Sequence, residues 1–305
     1  MQRFILGRFL QAIVSIILVA TAVFVIVRAT GDPVDVLTTP RATVEDRRMV
    51  AESLGLDRPL IIQYGLFMFH IAQGDFGKSF NYRRPALEVV LERLPATMEL
   101  GLSAMVLALL IALPIGTYAA VHRGGWFDAI GRAFAFTGQA APIFWLGIMM
   151  ILVFAVTLGW LPVGGRGTPL HLIMPAAALG WGLCAGVLRL TRSSMLDVLS
   201  TDYIVLARAK GLSPIVVIWK HGFKNAAIPV LTMAILLFIS AVGGSVITET
   251  VFAWPGVGRL MMNAVLNRDF PVVQGVVIVL SVALVLMNLV ADILYAYLNP
   301  KIRYK

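Results

Sequence analysis

The chain has 305 residues, of which 59% are hydrophobic and 13% are charged, and its formal net charge is +9. The charged fraction is about half that of an average soluble domain, which excludes an ordinary soluble protein and indicates a membrane protein. The only cysteine, Cys184, excludes an intrachain disulfide and a thiolate metal site.

Six weakly charged stretches are long enough to cross the hydrocarbon core as helices, which takes about 20 residues. We therefore predict an all-α membrane protein with a single transmembrane domain over residues 1–305. The first stretch exceeds a signal-peptide core and no cleavage site follows it, so it is expected to remain as an anchor. The predicted spans are residues 9–27, 100–121, 138–158, 172–190, 228–248 and 272–292.

Basic residues in short loops predict the orientation of the chain. One side carries 13 of them, whereas the short loops of the other side carry Arg166, Arg259 and Arg268. Because six crossings return the chain to the side where it began, both termini are predicted to be cytoplasmic. The net positive charge then indicates attraction to anionic membrane lipid, and we expect no nucleic-acid partner.

Residues 28–96 are predicted to form an external helical cap between spans 1 and 2. Thr43 can begin a short helix that Gly55 ends, with Leu54 on its apolar side. Pro59 precedes a 13-residue apolar stretch, which is too short for a span. Pro85 precedes a further amphipathic helix.

Residues 202–227 form a second organised segment, which lies between spans 4 and 5. Gly211 is a typical helix stop, Ser213 is a typical N-cap, and Pro214 suits the first position of a second helix. The pattern predicts a helical hairpin on the cytoplasmic membrane surface. Its apolar edge requires cover, either by lipid or by another protein.

The sequence indicates no enzyme and no cofactor site in this chain. Residues 74–79 (GDFGKS) end like a Walker A motif, but two residues rather than four separate the glycines, and a glycine turn is the better interpretation. The four histidines are scattered over the sequence without ligands beside them, so no metal site is expected. No serine or cysteine nucleophile has a base at a recognisable spacing.

A secondary transporter is the alternative from another class. Such transporters carry ionisable residues at mid-membrane depth, whereas Glu99, Glu249 and Asp292 fall at the ends of predicted spans. Polar residues inside spans could line a pathway or could instead serve helix packing. Pro142 and Pro175 could break their helices. The pathway candidates are Ser103, Gln139, Ser240 and Asn288.

The strongest motifs resemble a known family. Residues 207–213 (ARAKGLS), Lys220-His221 and residues 225–229 (NAAIP) are similar to the cytoplasmic coupling loop of permease subunits of binding-protein-dependent ABC importers, in the peptide and nickel branch. The generic loop of the wider superfamily has Leu-Pro thirteen residues after its glycine, where this chain has Phe223-Lys224. Further segments that carry the resemblance are residues 8–10, 31–33, 54–59, 63–64, 74–77, 93–97, 249–258 and 299–305.

This resemblance implies a type I ABC importer permease of a bacterial inner membrane that carries short peptides, such as dipeptides, oligopeptides or glutathione. A nickel importer of the same branch is the alternative. The implied partners are a second homologous permease, two ATP-binding cassette subunits that bind ATP and Mg, and an external solute-binding protein.

Two loops receive roles. The external loop at residues 248–269, which is rich in proline and glycine, could simply be a rigid turn. Because an exposed Trp254 would be costly unless it packs on the cap or meets a partner, we hypothesise that this loop forms an outer gate and helps to receive the binding protein. The expected gate residues are Glu249, Trp254, Pro255, Gly256 and Arg259. The expected ATPase-coupling residues are Ala207, Ala209, Lys210, Gly211, Leu212, Ser213 and His221.

Overall fold

The computed structural model describes residues 2–30, 34, 43–53 and 55–298. Within these residues the chain is helical and contains no strand, only one isolated antiparallel bridge between Lys78 and Pro85. The all-α prediction is therefore confirmed. The predictions that involve residues 31–33, Leu54 and residues 299–305 lie outside the described residues.

Glycine or proline adjoins many helix ends of the described chain, whereas Pro95, Pro175 and Pro229 lie inside helices. Two π-helical stretches, Ile151–Thr157 and Val216–Phe223, adjoin α-helices. In chain order the α-helices are α1 (Gln2–Thr30), α2 (Val44–Ser53), α3 (Leu60–Ala72), α4 (Ala86–Val121), α5 (Trp126–Ala140), α6 (Ile143–Met150), α7 (Leu170–Leu199), α8 (Asp202–Ala209), α9 (Lys224–Gly244), α10 (Val246–Val251), α11 (Val257–Leu266) and α12 (Phe270–Leu298).

Five of the described helices are long and apolar enough to cross a membrane. A sixth crossing is possible where α5 and α6 meet, because together they have the length and hydropathy of one span but are bent by 104°. Pro142 lies at this break and has no N–H to continue the helix. The five helices are Gly7–Ala29, Ala86–Val121, Leu170–Leu199, Val216–Gly244 and Phe270–Asp292.

The structure corrects three expectations about helix boundaries. The third predicted span, residues 138–158, includes the bend at Pro142 and is not one straight helix. The helix predicted after Pro85 does not end before the second span, because α4 runs through Pro95 without a break. The second arm of the cytoplasmic hairpin likewise continues from Val216 into α9 as a single helix. Each of these continuous helices contains a proline, Pro95 in α4 and Pro229 in α9. The apolar residues on both sides of the proline outweigh its helix-weakening effect.

The described residues form two compact units. The first comprises Met1–Pro95 and Gly256–Leu289. Its largest apolar cluster joins the beginning of α4 to α11 and α12, and includes Val90 and Val257. Within the same unit α1 packs on α3, where the ring of Phe24 lies 5.3 Å from the rings of both Tyr64 and Phe67.

Within the described residues, the second unit comprises Ala96–Pro255 and residues 290–298. Its core joins α4, α5, α7 and α9 and includes Leu100, Leu188 and Trp254. Small residues let these helices approach closely, as in other membrane proteins. A methyl group added at Gly180 would lie 2.9 Å from the carbonyl oxygen of Ala104, so α4 and α7 are in contact there only because that residue is glycine.

Candidate coupling, gate and pathway sites

The turn of the cytoplasmic hairpin is built by Gly211. Its φ is +75°, and its N–H donates to the carbonyl of Arg208 at 3.0 Å while the N–H of Leu212 donates to the carbonyl of Ala207 at 3.4 Å. These two bonds form the Schellman motif that ends many helices at a glycine. A Cβ at Gly211 would meet nothing within 4 Å. The turn therefore requires glycine for its backbone conformation and not for space within this chain.

The two arms of the hairpin bury a small apolar cluster and leave other apolar side chains uncovered. Ile204, Ala207 and Val217 form the buried cluster. Ala207 therefore holds the arms together and is not a surface contact. Residues 209–213 are exposed and His221 is half-buried, so five of the seven coupling candidates share one accessible turn. Leu206 and Ile215 beside this turn are 56% and 72% exposed.

An ion pair anchors α7 just before the hairpin. The guanidinium of Arg192 donates to both carboxylate oxygens of Asp128, with Nε to Oδ1 at 2.5 Å and Nη2 to Oδ2 at 2.9 Å. The N–H of Gly124 also donates to Oδ2 at 3.1 Å. The sequence does not reveal this pair, because its members are 64 positions apart and the local signal is limited to an acidic residue in the first turn of α5.

Two of the predicted gate residues lie in a buried polar cluster of the second unit. The carboxylate of Glu249 accepts hydrogen bonds from Thr97 Oγ1 at 2.7 Å and from Ser245 Oγ at 2.9 Å, and its side chain is fully buried. The indole N–H of Trp254 donates to the carbonyl of Ala96 at 2.8 Å, and this side chain is also buried. Both residues thus fix their loop against α4 at Ala96 and Thr97.

The charged edge of this cluster is a second ion pair that the sequence did not reveal. Arg166 Nη2 lies 2.6 Å from Glu99 Oε2, and the guanidinium carbon is 5.9 Å from the centre of the Trp254 ring. Because Glu249 and Trp254 are buried, their side chains offer no surface to a partner in this conformation. Arg166 and Glu99, which are about 40% exposed, provide the accessible surface here.

The remaining gate candidates differ in position. Pro255 is half-buried at the end of the second unit. Gly256 caps α11 with an extended backbone, and Arg259 is half-buried on that helix, in the first unit.

Of the four pathway candidates, Gln139 alone has a charged partner. Its side-chain oxygen accepts a hydrogen bond at 2.8 Å from Nη1 of Arg189, and both side chains are exposed. Ser103 is half-buried and Ser240 is exposed, while Asn288 is exposed and donates to the carbonyl of Leu284 in its own helix. Among the residues that the structure describes, no hydrogen bond joins any two of these four candidates.

The Walker-like segment is a loop whose serine hydroxyl donates a hydrogen bond within the chain. Gly74 and Gly77 have φ values of +76° and +81°, and the hydroxyl of Ser79 donates to Asp269 Oδ2 at 2.5 Å. A phosphate-binding loop leads directly into a helix, whereas here the next helix begins only at Ala86. The segment is a glycine turn, as expected.

The structure is that of a polytopic membrane protein, with a bent membrane helix, close helix packing at glycines and a helical hairpin that has an exposed apolar edge. A family described as "Binding-protein-dependent transport system inner membrane component" matches residues 112–304, and its N-terminal companion matches residues 1–101. The chain belongs to this family of inner membrane permeases. It is a multi-pass transport component of the inner membrane and not an enzyme, as the sequence predicted.

Individual relatives agree with this assignment. The chain is 44% identical over 306 residues to the "Glutathione transport system permease protein GsiC" of Salmonella choleraesuis and 42% identical to the Escherichia coli protein of the same name, with full coverage of both chains. The methionine ABC transporter MetNI matches with a TM-score of 0.59 at 20% identity, over 69% of this chain and 96% of that chain. An amino acid ABC transporter matches with a TM-score of 0.52 at 14% identity.

These comparisons confirm the ABC importer permease fold. A permease of a binding-protein-dependent system works with a binding protein and with ATPase subunits. The chain is therefore one component of a larger transporter.

Proposed function

We propose that this permease carries short anionic peptides of the glutathione type into the cytoplasm. The observation that supports this substrate class is the 44% identity with a glutathione permease along the whole of both chains. The proposed assembly contains a second, related permease, two ATPases that bind ATP and Mg, and an external solute-binding protein. The proposed orientation has both termini in the cytoplasm, because the side that carries them also carries 13 basic residues in short loops.

The hairpin turn at residues 209–213 is the proposed ATPase contact. Leu212 is 39% exposed and Ile215 is 72% exposed, and both need cover when the transporter is assembled. Burying each such side chain contributes about 1.5–3 kcal/mol. Because the second arm is continuous with α9, a movement of the ATPase at the turn would reach the membrane span directly.

Arg189 and Gln139 are the proposed contact for the peptide carboxylate. A charged side chain in a membrane helix avoids lipid and faces a pathway or another protein. Within the described residues Arg189 has no acidic partner, in contrast to Arg192 three positions later. Gln139 also lies close to the break at Pro142, and irregular backbone at membrane depth is tolerated where it is covered by protein or lines water.

Transport by the purified, reconstituted complex tests this function. Vesicles that contain the complex and ATP should accumulate radiolabelled glutathione only when the binding protein is present. Uptake of nickel without peptide would contradict the proposal and support a metal importer of the same branch. Uptake driven by an ion gradient without ATP would contradict the importer mechanism altogether.

A further inference from the structure

The first unit contains a cavity of about 710 Å³ beside the ends of two membrane helices. Its walls come from the end of α1, from α3, from the loop at residues 76–83 and from the beginning of α12. Arg28 lies in the last turn of the first span, and Phe270 is the first residue of the last span. The cavity is therefore located where these helices leave the hydrocarbon region.

The cavity is lined by basic residues, and the carboxylate of Asp269 is buried behind its wall, where it accepts hydrogen bonds from Ser79 and from the N–H of Phe80. Four lining residues are basic, and none is Asp or Glu. Among the described residues no carboxylate pairs with any of the three permanent cations, whereas the neighbouring Arg84 binds Glu92 at 2.5 Å and Glu88 at 3.4 Å. An excess of one charge in a concave site attracts an ion of the opposite sign. The four basic lining residues are Arg28, His70, Lys78 and Arg83.

Arg28 is held in position by a buried amide. Gln63, which is 8% exposed, accepts hydrogen bonds from Nε of Arg28 at 3.1 Å and from its Nη2. The Gln63 amide nitrogen donates in turn to the carbonyls of Leu56 and Arg58 at 3.0 and 2.6 Å. The guanidinium also lies 3.9 Å from the centre of the Phe24 ring. This support reduces the ordering cost of binding, and the guanidinium keeps further N–H donors for a ligand.

The rest of the cavity is apolar and continues onto a surface suited to lipid. Phe67, Phe80 and Phe270 are among the lining residues. The helix α3, which forms one wall, exposes 80% of Ile61 and 59% of Phe69. A short helix with an uncovered apolar face is typical of a membrane interface. Aromatic walls contribute little to binding a free inorganic anion, but they fit the upper part of an acyl chain.

We propose that this cavity binds the headgroup of an anionic phospholipid. Its phosphate would lie on Arg28, Lys78 and Arg83, and the adjoining part of its acyl chains would pack on Phe67 and Phe270. The lipid would join the end of α1 to the beginning of α12 within the first unit. This site does not depend on which solute the transporter carries.

The test uses the full-length permease with its partner subunits in phosphatidylcholine nanodiscs that contain tail-labelled phosphatidylglycerol. The double variant Lys78→Gln with Arg83→Gln changes two exposed side chains, so folding should persist and can be checked by the elution of the intact complex. Each removed charge should weaken phosphatidylglycerol binding about fivefold, since that is the contribution of one basic residue near an anionic lipid surface. The control Arg84→Gln removes the same charge beside the cavity and should bind as the parent does.

Three results would overturn the proposal. Equal weakening in Arg84→Gln would show a diffuse charge effect without a site. Displacement of the labelled lipid by millimolar inorganic phosphate would show a site for free anions. Unchanged lipid binding together with weaker stimulation by the binding protein would show that these basic residues receive an acidic protein surface.

Discussion

Arg192 on α7 and Asp128 on α5 form a bidentate ion pair in which the carboxylate is 1% exposed and the arginine side chain is 21% exposed. Its two hydrogen bonds, at 2.5 and 2.9 Å, join two helices of the second unit ahead of the hairpin. This pair affects stability mainly because a substitution that removes one partner leaves the other charge buried without its main partner. A buried carboxylate that loses its closest cation is costly, because water does not replace the lost bonds. The N–H of Gly124 and the exposed Arg132, whose Nε lies 3.7 Å from Oδ2, compensate only part of the charge.

Arg192→Ala is therefore expected to destabilise the protein by about 3 kcal/mol, at the low end for a broken buried pair because the arginine is partly exposed. Thermal unfolding of the purified complex measures the loss. Arg48→Ala breaks an exposed pair with Glu52, whose side chains are 70% and 49% exposed, and should change the stability by less than about 0.5 kcal/mol. Equal effects of the two substitutions would show that burial of Asp128 is unimportant.

Gly211→Val should uncouple transport from ATP hydrolysis while the membrane fold survives. A side chain in the left-handed region costs about 1–2 kcal/mol, and a β-branched one is among the least tolerated. The measurement is ATP hydrolysis stimulated by loaded binding protein. Gly159→Val is the matched control, because Gly159 has a φ of +64° and equally open surroundings but lies far from the hairpin in sequence. Full stimulation in Gly211→Val, or equal loss in both variants, would contradict the coupling assignment.

Arg189→Gln should raise the KM for an anionic peptide in the reconstituted transporter, because it removes a charge-assisted contact to the carboxylate. An increase of about tenfold is expected, since hydrogen bonds to charged groups contribute about 1.5–3 kcal/mol. Arg189→Lys keeps the charge and should recover part of the affinity. If Arg189→Gln transports glutathione with an unchanged KM while complex assembly is normal, Arg189 does not contact the substrate.

Substitutions of the two buried gate residues should distinguish a structural role from a role in gating. Trp254→Ala should destabilise the protein by about 3–5 kcal/mol through the cavity that it leaves. Glu249→Gln preserves the size of the side chain but replaces the charge-assisted hydrogen bonds from Thr97 and Ser245 with neutral ones. The loop is then held less firmly on α4, so stimulation by loaded binding protein should weaken while basal hydrolysis remains. Stimulation as in the parent would show that the Glu249 carboxylate only stabilises the loop.

Orientation can be tested by cysteine labelling in a Cys184→Ser variant. Cysteine at the exposed positions Thr43 or Asn263 should react with a membrane-impermeant thiol reagent in intact cells. Cysteine at Ser213, which is also exposed, should react only after the membrane is opened. Labelling of position 213 from outside would contradict cytoplasmic termini and the coupling role together.

Several helix ends were predictable to the residue. Pro59 predicted a helix that begins at Leu60 and ends at Ala72, and Gly211 was recognised as the stop of α8. Proline and glycine act on their own backbone and on the adjoining turn, so such ends can be predicted from the local sequence.

The two prolines named as possible breaks had different outcomes. The chain bends at Pro142, as expected. The expectation for Pro175 is wrong, because α7 continues through it from Leu170 to Leu199. The effect of a proline inside an apolar helix therefore depends on what packs around it.

Contacts between distant residues were not predictable in this way. The sequence placed Gln139 among the pathway candidates but gave no sign of Arg189, which is 50 positions away. It placed Trp254 at a binding surface, although the indole is buried on the carbonyl of Ala96. The partner of a charge or of an indole N–H depends on which helices pack together, and two helices with similar apolar faces can pack in many ways.

The amino-acid sequence by itself determined that this protein crosses a membrane and that a glycine turn at Gly211 ends α8. Spans need about 20 apolar residues in a row and turns need particular residues, and both requirements are local. Only the tertiary structure decided that α4 is continuous, that Glu249 is buried and that Arg28 and Arg83 line one cavity. These features depend on helix packing, which brings together residues that the chain separates by tens of positions.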